Sequence, residues 1–520
     1  MKKPSAEFAM RYNWIILFGI AAMIVGCSQT ASAPPINDDS AESSSTKKVS
    51  SSSKKATSSS SAADKLDEDC AGEPGNAWDG TTAKDFACGA GTKLSPYIIL
   101  TAEQLAKLSF IVGANETEYQ GKYYKLGADI ILNEGKIIDD KGALVADSTK
   151  LHKWTPIGNS SVAFTGNFDG DGHTVSGMFI NTTSTHNGLF GNSSGTVQNL
   201  TVENSWVSGG KYTAGVVAVL YGDGIVKNAK NISSVTGNAE ATAGIVARTS
   251  YAYSKKGLIE NCENYGFIQG EKLVAGIIGS SDNGLTIKNV LNEGKIEGEY
   301  GVGGIAGHLG PSTDLDEASN NADISGKEFT AGIASYFGDS YCPANKNYGS
   351  ISKVKNVGKI TGTNYTAGIV GKAQCVSING ASNTNDIVGN KFSGGISGHA
   401  QRAKVDAVYN IGDIFGSNDV GGIIGFNEEG VTSAAYSTGK VDGDSLVGLT
   451  IGYNYNTTMA DYYYLKQGEQ EPFGLNNGGG VATPKTSEEM KSEEFAELLG
   501  EEFVYDPELN DGYPILKWEE

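Results

Sequence analysis

A short block of small residue, Gly, then aliphatic residues returns along most of this chain. That periodicity restricts the fold more than any other feature. The block's glycine falls at Gly188, Gly215, Gly244, Gly276, Gly304, Gly332, Gly368, Gly395, Gly422 and Gly448, with spacings of 26 to 36 residues. A second block, small-x-Asn-x-Gly-x-Ile-x-Gly, precedes most of these; CENYGFIQG (262–270) and VKNVGKITG (354–362) are examples. Aligned on its Asn, this block runs through Asn231, Asn264, Asn292, Asn320, Asn356, Asn383 and Asn410, with Ser437 as the last copy. Four residues on, every copy is β-branched: Val235, Ile268, Ile296, Ile324, Ile360, Ile387, Ile414 and Val441. Six residues on, every copy is Gly, from Gly237 to Gly443. Two residues before the Asn stand Ala229, Cys262, Val290, Ala318, Val354, Ala381, Val408 and Ala435.

These slots share one parity, so on an extended chain they point to one side, while the intervening Lys, Glu, Asp and Ser face water. A single coil cannot bury that inner side. Stacking coils at about 4.8 Å gives each a neighbour above and below and builds a continuous core. The pattern predicts an all-β fold, a parallel β-solenoid with small helical caps. Eight in-register copies argue against a β-sandwich with incidental similarity. With 70 Gly but only 12 Pro, neither a collagen nor a Pro-rich linker fits. The inward asparagines (Asn264, Asn292, Asn320, Asn356, Asn383, Asn410) are expected to stack as an amide ladder, not to bind ligand, because an inward slot has no solvent access. The sixth-slot glycines are expected at corners of positive φ.

Gly188-Leu189-Phe190-Gly191 and its AGIIG, GGIAG, AGIVG and GGIIG variants resemble the GLUG-motif repeats. Trp154–Gly177 and the TAEQLAKL stretch resemble the opening of such arrays. The likeness covers roughly residues 95–520. It implies a right-handed β-helix-like fold and a bacterial surface setting. GLUG repeats also occur beside immunoglobulin-A metallopeptidase domains, but the HExxH of that chemistry is not in this sequence.

The N-terminus reads as an export signal. Lys2, Lys3 and Arg11 precede an apolar run at 14–25, too short to span a bilayer comfortably. The run ends in Ile24-Val25-Gly26-Cys27, which resembles a bacterial lipobox and implies cleavage before Cys27 and lipid on its sulfur. Residues 28–69 are Ser-rich and cannot bury apolar area, so they suit a disordered tether with a span of roughly 35 Å. The chain is therefore expected to divide into a signal peptide (1–26), a linker (27–69), an N-terminal cap region (70–153), the solenoid (154–455) and a C-terminal cap (456–520). Thr101 with Gln104, and Thr486 with Glu489, form capping-box patterns ahead of short apolar-striped helices.

Five cysteines remain beyond Cys27. Cys70 and Cys88 flank a Gly-rich, weakly apolar segment that a disulfide would stabilise by about 3 kcal/mol. Cys342 and Cys375 follow consecutive Gly blocks and are a second candidate pair. Cys262 sits in an inward slot and is expected to be a buried, inert thiol.

Acidic residues outnumber basic ones 60 to 40, for a formal charge of −20, and only Arg11, Arg248 and Arg402 are arginines, so no basic footprint for nucleic acid exists. Asp169 and Asp171 in FDGDGHT sit at a spacing that suits Ca²⁺, but position 180, where an EF-hand loop closes with Glu, is Ile180. An Asx-bonded turn is the favoured reading, and no metal or cofactor is assigned. His399 with Arg402 and Lys404 faintly resembles the basic part of a β-helix lyase site, without an adjacent carboxylate pair. Three consecutive tyrosines, Tyr462, Tyr463 and Tyr464, follow Asp461; with Tyr409 and Tyr436 these rings are candidate sugar platforms. The expected role is a scaffold at the outer membrane and cell surface, anchored by lipid, that adheres to glycans or surface proteins without catalysis. The alternative is a carbohydrate-active β-helix enzyme, a polysaccharide lyase or hydrolase.

Overall fold

The computed structural model describes residues 70–250, 256–282, 284–339 and 349–520. Cys27, the rest of the signal and linker, and Cys342 lie outside the described residues. The body is a parallel β-solenoid of about 13 turns. Each central coil contributes three strand segments. One carries the Asn slot (Leu285–Asn292, Thr313–Asn320, Gly349–Asn356), one the Ile and Gly slots (Ile296–Gly303), and one follows the repeat Gly (Ala306–Leu309, Ala334–Gly338, Val370–Gln374). Equivalent segments pair in parallel, coil upon coil. Ile296 stands beside Ile324 and Ile324 beside Ile360, all of them buried. The expected inward slots are thus inward, and they line one continuous core.

The Asn slots form the expected ladder. Each Nδ2 donates to the Oδ1 one coil on: Asn231 to Asn264, Asn264 to Asn292, Asn292 to Asn320 and Asn320 to Asn356, each at 2.8 Å. Asn356 to Asn383 and Asn383 to Asn410 follow at 2.7 Å. The second amide hydrogen turns back to the carbonyl two residues later, as from Asn292 to Gly294 and from Asn410 to Gly412. Both donor hydrogens of an interior rung are therefore used, which is why a fully buried amide is tolerated here. Ser437 ends the run, with its hydroxyl buried and without a hydrogen-bond partner.

Two expectations about glycine change. The sixth-slot glycines do not adopt positive φ. Gly237, Gly326, Gly362 and Gly389 are glycine because a Cβ would press on the inward Thr242, Thr330, Thr366 or Ser393 of the same coil. Gly448 is not the tenth copy of the block's glycine; it pairs with Gly421, so the position equivalent to Gly422 is Leu449. Left-handed backbone occurs instead on side-chain-bearing residues, in two columns. One lies three before the Asn slot (Asn228, Asn261, Asn289, Glu317, Lys353) and one three before the repeat Gly (Leu273, Phe329, Tyr365, Phe392).

Helix α1, Ala102–Gly113, opens with the Thr101/Gln104 capping box and buries Leu105, Leu108 and Val112 against the first coils. The Cys70–Cys88 disulfide is present, and Gln104 Nε2 donates to the carbonyl of neighbouring Ala71, tying that segment to α1. Cys375 is also disulfide-bonded. Cys262 is buried and free, with burial pushing its thiol up to about 12, so it stays protonated and inert. At the C-terminal side, α2 (Ser487–Met490) carries the Thr486/Glu489 capping box and α3 (Glu493–Leu499) starts at Ser492. Their Met490, Phe495 and Leu499, with Phe503 and Leu516, pack along the flank on Ala407, Tyr409 and Tyr436. Among the described residues no helix is long and apolar enough to cross a membrane.

Candidate functional site: an aromatic slot on one flank

The residues singled out from sequence do not converge. Tyr409 and Tyr436 stack at 5.2 Å as neighbouring coils require, but they lie beneath the C-terminal helices. Tyr409 donates to Glu519 and Tyr436 to the Pro514 carbonyl. Tyr462 and Tyr464 turn into the core, and Tyr463 packs on Phe495. None of these rings offers a sugar platform, because period-two alternation and the docked helices consume them.

Asp169 accepts from the backbone N–H of Asp171 at 2.9 Å, from Gln198 at 2.7 Å and from Asn199 at 2.8 Å. Asp171 pairs with Lys125 at 2.9 Å. The turn is Asx-bonded, and its carboxylates are already engaged within the protein. The basic trio also disperses into pairs: His399 with Glu428 at 3.0 Å, Arg402 with Glu429 at 2.6 Å, and Lys404 with Asp406 at 3.0 Å.

What the structure brings together instead is an outer aromatic strip made of two adjacent columns. The first lies four residues after each repeat Gly and runs, in register, Arg248, Ser280, His308, Tyr336, Lys372, His399, Phe426, Tyr453. His308 stacks on Tyr336 at 5.2 Å, His399 on Phe426 at 4.7 Å, and Phe426 on Tyr453 at 4.9 Å. These spacings repeat the coil rise. The second column is the left-handed one. There Phe329 stacks on Tyr365 at 4.5 Å and Tyr365 on Phe392 at 4.8 Å. The columns touch, since Phe329 meets Tyr336 at 6.1 Å and Phe392 meets His399 at 5.7 Å.

Rings stacked along the axis show solvent their edges, not their faces. The stack opens at one coil, where the second column holds Gly301 between Leu273 and Phe329. No side chain there can stack on Phe329; Tyr300 meets it edge-to-face at 5.2 Å. Two coil rises separate Leu273 from Phe329, about 9–10 Å, and a ring in van der Waals contact on both sides needs about 7–8 Å. The result is a cavity of about 640 Å³ lined by Leu273, Tyr300, Phe329, Tyr336, His308 and Lys372, with Asp282, Asp339 and Gln374 also on its wall. Tyr300 is half-exposed.

Polar groups in the slot are oriented by the fold. Tyr336 donates its hydroxyl to Gln374 Oε1 at 2.9 Å. Burial, reinforced by Asp339, pushes the Tyr336 phenol up to about 12, so it remains a donor at neutral pH. Burial also lowers His308, keeping it neutral. Asp282 is gripped by Arg248 through Nη2 at 2.8 and 3.1 Å, and Arg248 in turn donates to the Tyr212 hydroxyl at 2.8 Å. Aromatic surface beside a few aimed donors and acceptors is the make-up of a small-ligand pocket.

No family model matches the chain. It is 33% identical over 177 residues to halomucin of Haloquadratum walsbyi, covering 33% of this chain and 2% of halomucin. It is 32% identical over 126 residues to a protein of Evansella cellulosilytica named as a candidate Gly-rich membrane protein, covering 24% of this chain and 13% of that protein. The chain thus spans a small part of the length of either relative. A solved structure of a candidate immunoglobulin A1 protease from Bacteroides ovatus aligns over 84% of this chain and 96% of its own, at 16% identity and a TM-score of 0.38.

Proposed function

We propose that this protein is a GLUG-type surface scaffold, lipid-anchored at the outer membrane through Cys27 and held off the membrane by the Ser-rich tether. Its solenoid binds glycans at the Gly301 slot and acts by adhesion, without catalysis. The slot carries this reading: it is where the aromatic strip offers a ring face instead of edges, with Tyr336, Gln374 and His308 beside it. The fold supports the same role, because a stack of near-equal coils is stiff and holds a surface away from its anchor. The names of halomucin and of the candidate membrane protein agree with a place at the cell surface. The acidic balance of the sequence favours neutral glycans, cations or proteins over polyanions as bulk partners.

The test pairs a glycan array on the full-length protein with a reducing-sugar assay on every bound glycan. Binding without release of new reducing ends is expected. Release, abolished by a slot substitution such as Phe329→Ala, would instead identify a carbohydrate-active enzyme. Globomycin treatment of the producing cells, with mass measurement of the N-terminal peptide, tests the anchor: a peptide beginning at unmodified Cys27 in untreated cells would remove it.

A further inference from the structure

Lys372 stands in the first column directly between Tyr336 and His399 in register, half-buried, and it is the one Lys or Arg among the residues lining the slot. Its ammonium lies 6.0 Å from the centre of the Tyr336 ring. Among the described residues it has no carboxylate within ion-pair distance. Glu428, whose charge reaches it, is already hydrogen-bonded to His399 Nε2 at 3.0 Å. Other basic side chains along the solenoid hold a carboxylate: Lys230 holds Glu263 at 2.8 Å, Lys327 holds Glu299 at 2.6 Å, and Arg248, in the same column, holds Asp282 at 2.8 Å.

A half-buried ammonium has lost part of its hydration, and the structure gives it no anion in return. Burial accordingly lowers its pKa. In the same slot Asp282 is neutralised by Arg248, so it does not compete for Lys372. Asp339 lines the wall without reaching Lys372. Tyr336, Lys372 and Gln374 thus combine a ring, a cation and an amide on one wall.

Resting on the glycan reading of this slot, we infer that its ligand is an acidic saccharide, a uronate or a sialic-type sugar, whose carboxylate sits against Lys372 while its ring occupies the space over Gly301. The charge-assisted contact would supply the specificity, and the ring contact the remaining affinity. A half-buried cation with no ion-pair partner, in an otherwise acidic protein, selects an acid-bearing monosaccharide unit in a mixed chain. A dense polyanion is disfavoured by the surrounding charge.

The experiment uses full-length protein on an array of uronate- and sialate-bearing oligosaccharides, each printed beside its methyl ester. The ester removes the charge and keeps the ring. Binding to the free acids is expected to exceed binding to the esters at least tenfold. Lys372→Met should erase that difference with its melting temperature unchanged, and Lys372→Arg should retain most of it. Raising the salt should weaken the acids and not the esters. Acids and esters bound equally, with Lys372→Met indifferent and Phe329→Ala abolishing both, would overturn this inference and leave the glycan reading standing. No glycan bound by the folded protein would overturn both.

Discussion

Gly332 lies against the side-chain amide of Asn356 so closely that a Cβ at Gly332 would overlap Asn356 Oδ1. The same contact joins Gly215 to Asn231, Gly244 to Asn264, Gly276 to Asn292, Gly304 to Asn320, Gly368 to Asn383 and Gly395 to Asn410. The two repeat blocks are therefore halves of one device. The glycine of one block leaves the space that the next block's asparagine fills, and the amide then bonds along the axis. At the final copy Gly422 faces the Ser437 hydroxyl in the same way.

Breaking this ladder in its middle should cost more than breaking it at its end. Asn356→Leu leaves one Nδ2 hydrogen of Asn320 and the Oδ1 of Asn383 without partners in a dry core, at about 1–3 kcal/mol for each. Asn231→Leu orphans only the Asn264 oxygen, because the Oδ1 of Asn231 already lacks a partner. Chemical denaturation of both variants should show the larger drop for Asn356→Leu. Equal losses would mean that amide bonding is not what stabilises the register.

The sixth-slot glycines can be tested for cause. Gly362 has ordinary backbone geometry, and an added Cβ would meet Thr366 Oγ1 and Thr330. Gly362→Ala should destabilise by about 1–3 kcal/mol through overpacking. Thr366→Ala in the same chain should recover part of that loss, measured as a double-mutant cycle. Strict additivity would show that the Thr366 contact is not what requires glycine at this position.

His399 gives the solenoid an acid-side weakness. Burial among Tyr365, Phe392 and Phe426, and then the nearby Lys372 charge, hold it neutral, down to about 3. Its Nδ1 has no hydrogen-bond partner, consistent with a neutral ring donating from Nε2 to Glu428. The unfolded chain takes up the proton near pH 6.5, the folded chain far lower. Stability is therefore full above about pH 6.5 and falls as the pH drops below it, by up to about 1.4 kcal/mol per pH unit. Melting temperatures from pH 7.5 to 5 should decline in the native protein and decline less in His399→Phe. Parallel curves would remove His399 as the cause.

Much of the architecture was legible because the inward slots repeat nearly the same residue: Ile296, Ile324 and Ile360 share a parity, and a core forces similar choices on each coil. The capping boxes at Thr101 and Thr486 were equally local. The slot was not legible. Its two columns hold Arg, Ser, His, Tyr and Lys in one, and Leu, Gly, Phe and Tyr in the other, since an outward position tolerates any side chain. The left-handed residue three before each Asn slot, here Ala407 or Ala434, also interrupts the strict alternation by which Tyr409 and Tyr436 read as outward rings. They do point outward, but onto α3, a long-range contact no local pattern announces. Asking which left-handed column contains an isolated Gly would have led to Gly301, and to Gly380 in the other column.

Gly301 also supplies the most direct test of the functional account. Its φ of +71° matches the left-handed backbone that Phe329, Tyr365 and Phe392 adopt with aromatic side chains. A side chain is therefore tolerated there, provided that Leu273 Cδ2, which would lie 2.8 Å from an added Cβ, swings aside. Gly301→Phe should continue the stack onto Phe329 and close the slot. Thermal melting of this variant should show a melting temperature held or raised, and calorimetric titration with a glycan that binds the native protein should show binding lost. Undiminished binding by the folded variant would contradict the claim that this slot is where the protein meets its ligand.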